Sequence, residues 1–168
     1  MDLRRELEGL HRASFGWAMA CCRDQRQEAG DVLQTVYIKV LEGRARFDGR
    51  SSFRTWLFSV IHRTAHEWRR QLRLHAALLD RWNASEPVAA DAPSAESAIA
   101  EREQSRQLRG ALKGLSRRQQ EVLHLVFYQD LTVEEAAHAL GLSLGSTRTH
   151  FARGKQRLRA ILRENREL

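Results

Sequence analysis

Residues 132–159 read TVEEAAHALGLSLGSTRTHFARGKQRLR. Thr132 with Glu135 three positions on has the form of a capping box, which satisfies two of the unpaired amides at a helix start. The helix it opens runs through Ala136, Ala137 and Leu140. It stops at Gly141, the residue type that most readily takes the left-handed backbone of a helix end. Leu142 turns inward and Ser143 caps the next helix. The pattern is helix, tight turn, helix, and the alanines on the first helix permit the steep, close crossing of a helix-turn-helix. The second helix carries Arg148, Thr149, Arg153, Lys155 and Arg157. Residues 146–168 hold 7 basic and 2 acidic side chains, net +5. That charge suits a helix laid in the major groove of DNA; an αα-hairpin with no DNA relevance is the alternative. Just upstream, Ser116-Arg117-Arg118-Gln119 is a second capping box. It opens an apolar helix with Val122, Leu123, Leu125, Val126 and Phe127.

Charge divides the rest of the chain. Of 168 residues, 28 are Lys or Arg and 21 Asp or Glu, net +7. Residues 1–82 hold 15 basic and 10 acidic side chains, net +5. Residues 83–101, NASEPVAADAPSAESAIAE, hold no basic and 4 acidic ones, together with both prolines. Residues 102–168 hold 13 and 7, net +6. The middle block cannot bury enough apolar surface to fold alone and reads as a flexible acidic linker. The expected fold is all-α: two small helical domains, 1–82 and 102–168, joined by the linker 83–101.

The first domain also reads as helices. In DVLQTVYIKVLEG, residues Val32, Leu33, Val36, Tyr37, Val40 and Leu41 recur with the spacing of one buried face. Asp31 is the expected N-cap and Gly43 the expected stop. Asp31, Gln34, Thr35, Ile38 and Glu42 share another face, which the pattern alone leaves open as a solvated face or a contact with a partner protein. Next comes RFDGRSSFRTWLFSVIHRTAHEWRRQLR, residues 46–73. Phe47-Asp48-Gly49-Arg50 is a turn signal. Ser51 or Ser52 is placed to cap a helix through Trp56, Leu57, Val60, Ile61, Thr64, Ala65 and Trp68. Its end is expected to carry one basic face, Arg63, Arg69, Arg70 and Arg73, close to aromatic rings, a combination that suits phosphates and unstacked bases. Taken singly, Phe53 and Trp56 read as core.

Several classes are excluded. His62 and His66 stand at i, i+4, but the metalloprotease arrangement puts a glutamate directly after the first histidine, and here that residue is Arg63. No third ligand is evident nearby, so no metal is expected. No phosphate-cradling glycine loop, Gly-x-Ser-x-Gly elbow or paired-carboxylate site occurs, so neither an enzyme nor a cofactor is expected. The longest apolar runs, Trp56–Phe58 and Leu125–Tyr128, are far shorter than the roughly 18 residues of a membrane span. The N-terminus has no apolar signal region. The two cysteines, Cys21-Cys22, are adjacent and cannot staple a fold, which fits a reducing, cytoplasmic setting. Set among Phe15, Trp17 and Met19, they read as core rather than as oxidant sensors.

Three stretches carry a family resemblance. RFDGRSSFRTWLFSVIHRTAHEWRR resembles the promoter-melting part of the extracytoplasmic-function (ECF) sigma factors of the sigma-70 family. LSRRQQEVLHLVFYQDLTVEEAAHALGLSLGSTRTHFARGKQRLR resembles their C-terminal helix-turn-helix. AGDVLQTVYIKVL resembles the helix that docks on RNA polymerase. The resemblance covers well over half the chain in the family's order. It implies contact of Asp31, Gln34, Thr35 and Ile38 with the β′ clamp of core RNA polymerase, and of the C-terminal domain with the β flap. It implies a −10 and melting set of Phe47, Asp48, Arg50, Ser51, Phe53, Arg54, Arg63, Thr64, Arg69, Arg70 and Arg73. It implies a −35 set of Ser146, Arg148, Thr149, Ala152, Arg153 and Arg157. Partners implied are core polymerase, promoter DNA and an anti-sigma factor.

The chain departs from the family in places. Thr64 stands where Asn is common, Thr35-Val36 where Glu-Thr is usual, and Thr147, His150 and Gly154 where an apolar residue, a basic residue and Ala are usual. Glycine costs a helix about 1 kcal/mol against alanine, so the turns after Gly154 are expected to order only on DNA. Two rival readings remain: a free-standing helix-turn-helix regulator with residues 1–82 as a sensor or dimerisation domain, and a polymerase- or RNA-binding accessory protein that uses the same basic faces nonspecifically and never melts a promoter.

Overall fold

The computed structural model describes residues 2–82 and 110–164. Among them every regular element is a helix. The first domain has three: α1 (Leu3–Cys21), α2 (Arg26–Leu41) and α3 (Phe53–Trp82). The second has α4 (Arg117–Phe127), α5 (Val133–Leu140) and α6 (Leu144–Glu164), preceded by helical residues 110–113. The linker 83–101 lies outside the described residues.

Helix starts follow local chemistry. Asp2 caps α1, its carboxylate accepting from the amides of Arg4 and Arg5. Ser52 caps α3, its hydroxyl accepting from the Thr55 amide at 3.1 Å. Both expected capping boxes form, Ser116 with Gln119 and Thr132 with Glu135. Gly141 ends α5 at φ 64°, and Gly49 makes the expected turn at φ 73°. Asp31 is not an N-cap. α2 begins at Arg26, because Arg26–Gly30 continue the helix and bury Ala29. Leu41 is not core either; as the last residue of α2 it is 52% exposed.

α1, α2 and α3 pack against one another over Trp17, Val32, Val36, Leu57, Phe58 and Ile61, all buried. The Trp17 indole Nε1 donates to the Phe58 carbonyl at 3.0 Å, so the largest core side chain leaves no unpaired donor. Cys21 and Cys22 are buried free thiols, as expected of core. Burial raises both, Cys22 to about 11.

In the second domain α5 packs on both α4 and α6, and its Ala136, Ala137 and Ala139 are buried. The buried Thr147 hydroxyl donates back to the Ser143 carbonyl at 3.0 Å, which lets a polar residue fill an apolar position. α6 runs unbroken past Gly154 without DNA, contrary to the expectation from its helix propensity. A Cβ there would lie 3.2 Å from both Gln119 Cβ and Leu123 Cδ1, so glycine lets α6 sit close on α4, and that packing orders the turns beyond it.

The two domains also pack on each other. α5 lies against α3 and α4 touches α1. Val122, Leu125, Leu131, Ala136 and Leu140 join the core of the first domain in one continuous apolar cluster.

Candidate nucleic-acid interface

α6 presents its cationic face outward. Ser143 caps it, its hydroxyl accepting from the Ser146 amide at 3.1 Å. Ser146, Thr149, Arg153 and Arg157 then follow at helical spacing along one exposed line; Ala152 and Arg148, also exposed, lie further round the helix, off that line. Arg148 leans back to Glu134 on α5 at 3.0 Å. Both side chains of that pair are exposed, so it is readily exchanged for a phosphate or a base edge.

On α3 the four arginines expected on one face occupy two. Arg63 and Arg70, seven apart, are exposed together on one side. Arg69 and Arg73 continue the stripe of His62 and His66 and face the end of α1. Arg69 Nη1 donates to the Cys21 carbonyl at 3.3 Å, and Arg73 Nε to the Arg69 carbonyl at 3.3 Å. Thr64 is 4% exposed, its hydroxyl accepting from Lys39 Nζ at 3.3 Å. Before α3, Phe47, Phe53 and Trp56 form a three-ring cluster with centroids 5.3–5.5 Å apart. Phe53 and Trp56 are buried, and Phe47 is half-buried at the rim. Asp48 and Arg50 are exposed, the Asp48 carboxylate holding the Arg50 amide at 3.2 Å. Ser51 is half-buried, its hydroxyl donating to the Ser52 carbonyl at 3.2 Å. Arg54 turns the other way, towards the second domain, and donates to Gln129 Oε1 at 3.3 Å.

The residues expected to dock on polymerase lie along α2. Gln34 is exposed, Asp31 and Thr35 are half-buried, and the Thr35 hydroxyl donates to the Asp31 carbonyl at 2.8 Å. Ile38 is 41% exposed, and Leu41 extends its apolar surface by one turn.

Between the domains lies a cluster that the sequence did not disclose. Glu121 on α4 is 3% exposed. Its Oε1 accepts from Arg117 Nε at 2.8 Å and its Oε2 from Arg118 Nη1 at 2.9 Å. His62 and His66 Nε2 of α3 lie 3.5 and 3.8 Å from Oε1. Burial pushes this carboxyl up, but the hydrogen bond and charge of His62 with the two guanidinium charges outweigh it and hold it at about 2. The third ligand-type group beside the two histidines is therefore Glu121, not a neighbour in sequence. The three ligand-type atoms lie within 4.8 Å of one another. Both carboxylate oxygens are already taken by guanidinium groups, and those two positive charges repel a dication, so the arrangement is an ion-pair network.

Comparison with known proteins finds two family regions, in order, along the chain. Residues 7–74 match the Sigma-70 region 2 family and residues 111–160 the Sigma-70, region 4 family. RNA polymerase sigma factor YlaC of Bacillus subtilis is 32% identical over 142 residues, covering 84% of this chain and 81% of the relative. ECF RNA polymerase sigma factor SigX of the same organism is 30% identical over 160 residues, covering 94% and 80%. The chain is an ECF sigma factor.

The fold of this sigma factor is also that of solved structures. It matches the sigma factor RpoE of Bartonella quintana with a TM-score of 0.70 at 21% identity, covering 96% of this chain and 97% of that one. It matches CnrH with a TM-score of 0.66 at 19% identity, covering 96% and 88%. In the sigma factor's own terms, α2, the Phe47–Trp56 turn and α3 belong to region 2, and α4, α5 and α6 to region 4. No helix of the described residues is long and apolar enough to cross a membrane.

Proposed function

We propose that this sigma factor docks on core RNA polymerase through the Asp31, Gln34, Thr35, Ile38 face of α2. Residues 1–82 then recognise and melt the −10 element, and residues 102–168 read the −35 element, with 83–101 as the tether. The protein catalyses no reaction of its own and works in the cytoplasm. What supports this reading is the pair of separate cationic faces, Arg63 with Arg70 on α3 and the Ser146–Arg157 line on α6, both exposed in a molecule whose core is otherwise closed. Unstacking a base takes a few kcal/mol, and capture of the extruded base and the displaced strand by rings and guanidinium groups offsets it. The half-buried Phe47 and exposed Arg50 stand at the mouth of the region that would receive that base. Anti-sigma partners are extended to this chain from RpoE, solved with the anti-sigma factor NepR, and CnrH, solved with the cytosolic domain of CnrY.

The test is transcription from a defined promoter by core polymerase with this protein, with permanganate footprinting of the start region. Initiation with reactive thymines at −10 is expected. Arg63→Ala with Arg70→Ala should abolish that reactivity while co-purification with core polymerase persists. Unchanged melting in the double variant would remove the assignment of α3. Tight duplex binding without polymerase, and no initiation with it, would favour the free-standing regulator instead.

A further inference from the structure

At the junction of α1, α3 and α4 lies a cavity of about 420 Å³, within the size range of small-molecule sites. Four arginines line it: Arg23 from the turn after α1, Arg69 and Arg73 from α3, and Arg117 from the start of α4. Glu28 is the one carboxylate in the lining, so the wall carries a net charge of +3 from these groups. Three of the four guanidinium groups are fixed by backbone carbonyls. Arg69 Nη1 and Arg117 Nη2 both donate to the Cys21 carbonyl, at 3.3 and 2.8 Å. Arg73 Nε donates to the Arg69 carbonyl at 3.3 Å. Arg117 also spends its Nε on Glu121. Each guanidinium has five N–H donors, so these bonds orient the forks and leave donors for a ligand. Arg23 sits at φ 54°, in the left-handed region, as part of the turn that brings its side chain to the rim.

Like charges gathered on a concave wall repel one another, and an anion with several acceptor oxygens relieves that repulsion. Forked donors converging from different helices match the oxygens of a phosphate better than the single plane of a carboxylate. We propose that this cavity is a binding site for a small phosphate anion, a pyrophosphate or the phosphate groups of a small phosphate ester. Such a ligand would touch region 2 through Arg69 and Arg73 and region 4 through Arg117, and so hold the two regions together. It would also occupy Arg69 and Arg73, two arginines that the family resemblance puts in the melting set but that lie off the exposed Arg63–Arg70 side of α3.

The test uses the full chain without polymerase or promoter, so its failure leaves the transcription result intact and the reverse also holds. Inorganic pyrophosphate is titrated calorimetrically at fixed ionic strength. One saturable site per chain is expected. Arg23→Asn, chosen because asparagine accepts a positive φ, should weaken it tenfold or more, as should Arg117→Gln. Arg5→Ala, exposed at the opposite end of α1 from the cavity, should leave it unchanged. Absence of a saturable site would overturn the proposal. So would an equal loss in Arg5→Ala, which would mark a diffuse ion atmosphere. A ten-nucleotide single strand forms the second arm. If Arg23→Asn weakens it as much as it weakens pyrophosphate, the cavity is a length of nucleic-acid track and the small-phosphate assignment falls.

Discussion

His124 sits where single residues decide the pH range of the fold. Its ring packs 5.4 Å from Trp17 on one side and stacks on Tyr128 at 5.3 Å on the other. Burial lowers its pKa to about 4, and its Nε2 lies 3.3 Å from the Gln129 side-chain nitrogen, consistent with a neutral ring accepting from that amide. The unfolded chain therefore takes up this proton near pH 6.5 and the folded one only near 4. Stability is complete above about 6.5 and falls as pH drops towards 4, by about 3 kcal/mol in all. His66, also lowered by burial and by the His62 charge, acts in the same direction. Glu121 governs the next range down. Held at about 2 in the fold, it contributes stability that is present above the ordinary value of 4.5 and is lost as pH falls through 2. Urea denaturation at successive pH values should show both losses. His124→Gln should flatten most of the upper one, and Glu121→Gln should remove the lower one at a cost of about 3 kcal/mol at neutral pH, since two guanidinium groups lose their anion. An upper slope undiminished in His124→Gln would assign it to another group.

Among the elements, α6 answers to two demands at once. On the proposed reading its outer line offers Ser146, Thr149, Arg153 and Arg157 to DNA, while its inner side closes on α4 at Gly154. Alanine at 154 would ordinarily strengthen a helix by about 1 kcal/mol. Here the added methyl meets Gln119 Cβ, next to the backbone, and the buried Leu123, neither of which can yield easily. Gly154→Ala is expected to destabilise region 4 by about 1 kcal/mol, whereas Gly145→Ala, with open space around it, should stabilise it. Thermal unfolding of the two variants checks the pair of signs. On the outer line, Arg153→Ala should relax base preference at one or two upstream promoter positions by about 1–3 kcal/mol, measured by selection from a randomised promoter. Elements of this kind were legible because their signals are local: Ser116 with Gln119, Thr132 with Glu135, and Gly141 all lie within one helical turn of what they control. Asp31 misled because a good capping residue is not excluded from a helix interior. The arginines of α3 misled because Arg63 and Arg69 are near in sequence yet six residues at 100° each put them on different sides.

For the molecule as a whole, the domain-to-domain packing was not legible at all. Arg54 meets Gln129 across 75 positions, and no periodicity links Glu121 to His62. This packing has a geometric consequence. Elements at −10 and −35 lie about 25 base pairs apart, about 85 Å at about 3.4 Å per pair. A compact chain of this length has a radius of gyration of about 15 Å and cannot touch both. If the two domains read −10 and −35 as proposed, the packed form opens before both elements are bound, and any free energy that holds it shut lowers apparent affinity for the promoter by the fraction left open. Arg54→Ala combined with Glu121→Gln should increase the radius of gyration in small-angle scattering at neutral pH while helical content by circular dichroism is kept. An unchanged radius would mean that the apolar cluster alone sustains the closed form.

The pair of thiols at the end of α1 turns that opening into something that can be timed. Cys21 and Cys22 are 0% and 1% exposed, and burial suppresses ionisation of both sulfurs. Alkylating reagents attack thiolates, so the native protein should be inert to them, and each labelling event should mark an excursion in which α4 lifts from α1. The rate of iodoacetamide uptake then becomes a clock for domain separation, built into the chain without any added probe.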